Sequence, residues 1–223
     1  MFITGSSSKL LSKEIATQLR GRTLSYLLLP FSFREFLTAK GLKKEKYVSK
    51  DFSARIKHHL LEYMEFGGFP EIVLNKEQVK ILKDYAELIL FRDFIERHQI
   101  KNIELGRFLH SFIIQNFSKE VSVNSLFNRI KSTGLKISKN TVYDYLSKLE
   151  DTTFFFFLRK YSEKPHLRES YPKKIYLCDT GLTKTKKFSE DMGKLTEIIV
   201  FLELMKEKPE PFTGSVLLEG LQA

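Results

Sequence analysis

The sequence of 223 residues has one cysteine, no tryptophan and no long uninterrupted apolar run. The single thiol, Cys178, excludes a disulfide scaffold and any metal site built from cysteines, and it fits a reducing compartment. Charged residues interrupt every apolar run well before about 18 residues, so we expect no membrane-spanning helix and no membrane partner. Serines at 6–8 stand where a signal peptide needs an apolar core, so we expect a cytoplasmic protein.

Positive charge is in excess and is unevenly distributed along the chain. The formal net charge is +10. Residues 121–187 hold 14 basic and 6 acidic side chains, whereas residues 51–100 hold 7 basic and 9 acidic ones. Concentrated positive charge favours polyanionic partners, nucleic acid above all. A lysine-rich surface that only keeps the protein soluble is the alternative.

The first 100 residues predict an incomplete α/β unit followed by helices. Residues 2–4 and 24–29 are typical of strands, and residues 9–19 are typical of a helix between them. Two parallel strands do not form a covered sheet alone, so a preceding segment or another chain would have to complete it. Helices are predicted at 33–39, 53–66 and 79–97, with the turn at 66–71 placing Phe66 and Phe69 in the core.

Residues 101–187 predict a winged helix. Helical patterns occur at 103–117, at 123–130 after the capping residue Ser122, and at 139–150, with a short turn containing Gly134 between the last two. Strands are expected at 153–161 and 174–178, with a basic loop between them. The basic side chains would meet DNA phosphates and Asn140 would reach a base edge, although winged helices also serve as protein-binding modules. The candidate DNA-binding residues are Lys136, Lys139, Asn140, Tyr143, Ser147, Lys148, Lys164, Arg168 and Lys173.

The residues by themselves indicate no catalytic or metal site. The phosphate-binding pattern Gly-x-x-x-x-Gly-Lys-Ser/Thr does not occur in the sequence. The five histidines are scattered, and none has carboxylates or a cysteine at the spacing of metal ligands. No arrangement of Ser, His and Asp typical of a nucleophilic enzyme is recognisable.

Several segments, in order along the chain, resemble one family. They read FITGSSSKLLS (2–12), LRGRT (19–23), LPFSFREF (29–36), GGFPE (67–71), LFRD (90–93), SKNTV (138–142) and YLCDTGL (176–182). These are similar to archaeal and bacterial AAA-type ATPases, in which the ATPase core is followed by a helical lid, a winged helix and a C-terminal domain resembling restriction-type nucleases. The resemblance covers roughly residues 1–205.

The resemblance implies roles for a few residues. Thr4, Ser6 and Ser7 would lie at the tip of the sensor strand, close to the attacking water and the γ-phosphate. Arg20 or Arg22 would be the arginine finger, which stabilises charge on the transferring phosphoryl group. Glu197 would be the first acidic residue of the nuclease-like fold. The family's Walker A and B motifs and its remaining nuclease carboxylates have no counterpart here, so we expect neither ATP hydrolysis nor DNA cleavage, and no metal.

The expected fold class is mainly α with a small β part (α+β). Its parts would be a remnant β-α-β edge of an AAA core (1–32), a helical lid (33–100), a winged helix (101–187) and a truncated nuclease-like segment with a tail (188–223). The leading interpretation is a truncated, non-catalytic AAA-type relative that binds DNA without a cofactor; ATP and Mg²⁺ would act only if another polypeptide supplied the missing core. The alternatives are a subunit completing an ATPase in trans, with another copy of itself or an ATPase chain as partner, and a protein-interaction module with no role on nucleic acid.

Overall fold

The computed structural model describes residues 26–43, 49–161, 171–186 and 191–207, and within these ranges the chain forms two compact units. The first unit consists of residues 89–176, and the second consists of residues 28–88 together with 177–207. Most described residues are helical, and a small three-stranded antiparallel sheet accompanies them. The expected α+β class is therefore confirmed. None of the helices in the described ranges is long and apolar enough to cross a membrane.

The elements follow one another in a simple order. In chain order they are α1 (Phe33–Ala39), α2 (Lys50–Phe66), α3 (Pro70–Leu74), α4 (Gln78–Leu88), a π-helix (Ile89–Glu96), α5 (Ile103–Gln115), β1 (Glu120–Val121), α6 (Val123–Ser132), α7 (Lys139–Asp151), β2 (Phe155–Arg159), β3 (Lys173–Leu177), a 3₁₀ helix (Thr180–Thr185) and α8 (Met192–Glu207).

The first unit packs three helices against the sheet. The strand order is β1-β3-β2, and β1 pairs antiparallel to β3 with Val121 opposite Lys173. The helices bury apolar side chains at helical spacing, as their sequence periodicity predicts. The fully buried members of this core include Leu105, Leu109 and Ile113 of α5, Leu126 and Ile130 of α6, Val142 and Leu149 of α7, and Phe155 of β2.

The second unit has a core around Phe36, Tyr63 and Val73. Helix α1 has the predicted bounds, and Ser32 and Glu35 form a reciprocal capping box at its start. The Tyr63 hydroxyl donates to the Phe31 carbonyl at 2.7 Å, which fixes the chain just before α1. Helix α8 begins at Met192 and packs Ile199 against the same core.

One expectation about the residues before α1 is wrong, and one about the second unit holds only in part. Residues 26–29 form no strand, and Tyr26 and Leu28 are 70% and 93% exposed. A strand is held by hydrogen bonds to its neighbours, and the described residues place no strand beside this segment. In the turn at 66–71 the two glycines are buried, whereas Phe66 and Phe69 are only half-buried. The rest of the predicted β-α-β edge lies outside the described residues.

Candidate nucleic-acid interface

Helices α6 and α7 are held in place by serine caps and one glycine. The Ser122 hydroxyl accepts from the Ser125 N–H at 3.1 Å, and the Ser138 hydroxyl accepts from the Thr141 N–H at 3.1 Å. Each cap satisfies one of the unpaired amides at a helix start. Gly134 takes a φ of 86° just after α6, a conformation that costs glycine little. The turn between the two helices is therefore encoded locally.

Helix α7 has one buried and one exposed face. Val142, Tyr145 and Leu149 are buried in the first unit. Asn140, Asp144 and Ser147 are exposed on the other side of the helix, and Tyr143 and Lys148 are half-buried between the two faces. Residues three and four apart lie on one helix face, so the exposed set forms a continuous stripe.

Cations of this surface lie close to aromatic rings and to one acid. The Lys139 ammonium lies 5.8 Å from the Tyr143 ring centre. The Lys148 ammonium forms an ion pair with Asp144 at 2.7 Å and lies 5.8 Å from the Tyr145 ring centre. Contacts of these kinds at a protein surface contribute little energy each, so they hold the two ammonium groups only weakly.

A shallow concavity lies at the turn before α7. It is lined by Lys131, Gly134, Leu135, Lys136, Ile137 and Ser138. Lys131 stands in the last turn of α6, and its ammonium lies 5.5 Å from the Phe127 ring centre. Because the start of a helix carries positive partial charge, the concavity combines two lysines with an electropositive helix end.

The structure brings together six of the nine candidate DNA-binding residues. Lys136, Lys139, Asn140, Tyr143, Ser147 and Lys148 lie on the turn before α7 or on α7. Lys173, expected in the basic loop, is instead the first residue of β3 and lines an apolar cavity with Phe112, Val121 and Leu126. Lys164 and Arg168 lie outside the described residues.

Two residues of this surface were missed from the sequence. Lys131 lines the same concavity as Lys136, and Asp144 lies in the middle of the exposed stripe. A basic residue in the last turn of α6 was a usable signal for Lys131. The four-residue spacing from Asn140 to Asp144 and from Asp144 to Lys148 was the signal for Asp144.

The residues implied by the ATPase resemblance give no assembled site in the described part of the chain. Thr4, Ser6, Ser7, Arg20 and Arg22 lie outside the described residues. Glu197 is a half-buried residue of α8. Within the described ranges no group of three His, Cys, Asp or Glu side chains is placed to hold a metal ion.

Two of the family-like motifs meet in a buried cluster of the second unit. The Asp179 carboxylate accepts from the Gly68 N–H at 2.7 Å and from the Gly181 N–H at 2.8 Å. Burial raises the pKa of Asp179 to about 7, against the lowering effect of these backbone hydrogen bonds. Asp179 is 2% exposed, so the cluster joins the turn at 67–68 to the 3₁₀ helix and offers no open binding surface.

Comparison with known proteins adds two family matches. The sequence profile described as a domain of unknown function (DUF8612) matches residues 57–191. A profile described as an AAA domain matches residues 1–37 weakly. No solved structure matches the chain significantly.

Two relatives extend well beyond the matched region. The chain is 42% identical over 209 residues to the uncharacterized protein MJ1544 of Methanocaldococcus jannaschii, an alignment that covers 92% of this chain and 47% of that protein. It is 32% identical over 212 residues to an uncharacterized protein of Haemophilus influenzae, covering 92% and 50% respectively. The chain thus spans about half the length of these relatives.

Proposed function

The chain belongs to the DUF8612 family, and on that premise we propose that its first unit is a winged helix that binds duplex DNA through α7 and the turn before it. The observation that carries the proposal is the basic surface formed by the exposed residues Lys131, Lys136 and Asn140 and the half-buried Lys139. A helix presented with its start toward the duplex is the usual reading element of helix-turn-helix proteins.

The order of elements in the first unit supports this proposal. Helix α5, strand β1, helices α6 and α7, and strands β2 and β3 follow in the sequence expected of a winged helix, and the sheet order is β1-β3-β2. The α6–α7 turn is short and contains Gly134, as helix-turn-helix units commonly require. The exposed face of α7 takes no part in the core packing that buries its other face.

The distribution of charge along the sequence supports DNA binding by the same surface. Residues 121–187 carry the strongest excess of basic residues noted in the sequence, with 14 basic and 6 acidic side chains. Lysines near a duplex displace condensed counterions, which makes affinity fall as salt rises. With three or four lysines contacting phosphate, a plot of log affinity against log salt should have a slope of about −3 to −4.

A salt titration of duplex binding tests the proposal. Fluorescence anisotropy of a labelled 20-base-pair duplex, followed between low and moderate salt, should show binding with that slope. Lys136→Gln should make the slope shallower by about 0.9, the value for one lost phosphate contact. Lys83→Gln removes an equivalent exposed lysine from α4 in the second unit and should leave the slope unchanged. Absence of binding at low salt would refute the proposal.

We further propose that residues 1–223 act in the cytoplasm by binding, without a cofactor and without hydrolysing ATP. The absence of the Gly-x-x-x-x-Gly-Lys-Ser/Thr pattern from this sequence supports the proposal. Phosphate release from ATP, measured with and without duplex DNA, should not exceed that of a buffer control.

A second candidate function rests on the AAA-domain match at residues 1–37. That match includes Arg20 and Arg22, so the chain would donate an arginine finger to a partner polypeptide that carries the Walker motifs. ATP turnover by such a partner should rise when this chain is added and should fall back with Arg22→Ala. Equal turnover with and without the chain would refute this candidate.

A further inference from the structure

An amide and a carboxylate stand one helical turn apart on the exposed stripe of α7. Asn140 and Asp144 are both exposed. The cap of α7 uses Ser138 and Thr141, whose hydroxyls lie 2.9 Å apart, so capping does not engage the Asn140 amide. Among the described residues Asn140 has no hydrogen-bond partner, and its amide is free to meet a ligand on this face.

Asp144 is out of place on a surface that only attracts phosphate. It is an acid among Lys136, Lys139 and Lys148, and its side chain is 52% exposed. A carboxylate facing a DNA backbone is repelled by it, so phosphate contact alone gives no reason for an acid here. In the major groove, however, a carboxylate accepts from the cytosine amino group and is opposed by the acceptor atoms of guanine and thymine.

The Asp144–Lys148 ion pair has a second, structural explanation. Pairs of opposite charge four residues apart stabilise a helix only slightly. An ion pair of that kind has no effect on which DNA sequence is bound. Sequence preference therefore separates a reading role for Asp144 from a purely structural one.

The helix geometry sets the spacing of the contacted bases. Residues four apart are separated by about 6 Å along a helix axis. Successive base pairs are about 3.4 Å apart along the duplex, so the two side chains span about two base steps. Amide side chains pair with adenine through two hydrogen bonds, as carboxylates pair with cytosine through one.

We propose that Asn140 and Asp144 determine the DNA sequence preference, by major-groove contacts to an adenine and a cytosine about two base steps apart. This inference rests on the proposed DNA-binding function of the first unit. It goes beyond that function because it assigns base readout to two named side chains.

The test uses the full chain and a randomised duplex library. Sequences selected by the wild type should contain an adenine and a cytosine at this spacing. Anisotropy then measures affinity for the selected duplex and for duplexes altered at one position. The wild type should prefer adenine at its position by about 5- to 150-fold, and Asn140→Ala should lose this preference. Asp144→Asn should shift the preference at the cytosine position toward adenine, because an amide pairs with adenine. It should also raise affinity for unrelated duplexes, because a repulsive charge is removed.

Matched controls make the same kinds of substitution at exposed positions other than Asn140 and Asp144. Asn128→Ala changes an exposed asparagine of α6, and Asp84→Asn changes an exposed aspartate of α4. Both should keep the wild-type preference at every position. Circular dichroism melts of all four variants should overlay that of the wild type, and Asp144→Ala provides a second substitution at the acidic position.

The possible failures are distinguishable. If the wild type binds no duplex, the proposed function itself is refuted. If the wild type binds all duplexes equally, or if Asn140→Ala and Asp144→Asn keep the selected preference, the base-reading inference is refuted and DNA binding stands.

Discussion

At the scale of single residues, Asp179 shows how a polar group is retained in the core of the second unit. Its carboxylate accepts from the amides of Gly68 and Gly181. The pairing matters because a buried amide without a partner costs about 1–3 kcal/mol. One side chain thereby satisfies two backbone groups that come from distant parts of the sequence.

Asp179→Ala should lower the free energy of unfolding by about 2–5 kcal/mol, because it leaves both amides without an acceptor in the core. Urea unfolding followed by circular dichroism measures this change. Asp84→Ala, which removes an exposed carboxylate of α4, should change the free energy by about 0.5 kcal/mol or less. Similar values for the two variants would contradict the role given to Asp179.

The pH dependence of stability follows from the same residue. Burial raises the pKa of Asp179 to about 7 from an ordinary value of 3.8, partly offset by the backbone amides and by Lys206. The folded state therefore holds the proton more tightly than the unfolded state does. Its contribution to stability is present below about pH 4 and is lost as the pH rises through 7.

The free energy of unfolding, measured relative to Asp179→Asn, should fall between about pH 4 and pH 7 and level off above that. The variant is the reference because Asn does not titrate, while Glu35, Glu203 and Lys206 remain in both proteins. A wild-type curve parallel to that of Asp179→Asn across this range would show that the Asp179 pKa is not raised.

At the scale of elements, glycines at two helix ends allow a matched comparison. Gly67 follows α2 with a φ of 79°, and Gly134 follows α6 with a φ of 86°. A Cβ at Gly67 would lie 1.6 Å from the Asp179 Oδ1, whereas a Cβ at Gly134 has nothing within 4 Å. Both glycines have a positive φ, and their surroundings differ.

Gly134→Ala should cost about 1–2 kcal/mol of folding free energy, the cost of the left-handed conformation alone. Gly67→Ala should cost clearly more, because its new methyl group must displace the Asp179 carboxylate from the two amides. Thermal unfolding of both variants measures the difference. Equal destabilisation would mean that the turn at Gly67 relaxes without disturbing Asp179.

The bounds of the helices show how much of the fold the sequence predicts. Capping residues are local, so α1 was predicted with its observed bounds, and α7 begins at the expected residue after Ser138. The π-helix was missed because its bonds reach one residue further, as from the Arg97 N–H to the Arg92 carbonyl. The spacing of apolar residues does not reveal this change in hydrogen bonding, because the buried face continues through the π-helix.

The candidate site was predictable only in part, for a related reason. The outward face of α7 follows from helical spacing, which predicts Lys139, Asn140, Tyr143, Ser147 and Lys148 on it. The sequence places Lys131 in the last turn of α6, but its closeness to Lys136 depends on how the side chains of α6 and α7 pack against each other. The contact of Gly68 with Asp179 joins residues 111 positions apart, so neither motif reveals it alone.

At the scale of the whole molecule, two explanations of the proposed DNA affinity make different predictions. If the net charge of +10 attracts DNA, any lysine contributes equally to the attraction. If the surface around α7 attracts it, position matters, because salt screens charges separated by more than about 10 Å. The uneven distribution of charge along the sequence favours the second explanation.

Two double charge reversals separate these explanations. Lys136→Glu with Lys139→Glu changes the surface at α7, and Lys76→Glu with Lys83→Glu changes exposed lysines of the second unit. Each pair lowers the net charge from +10 to +6. Stopped-flow association with a labelled duplex should be slowed at least tenfold by the first pair and by less than about twofold by the second, because steering depends on the local field. Equal slowing by the two pairs would assign the attraction to net charge and would remove α7 from the interface.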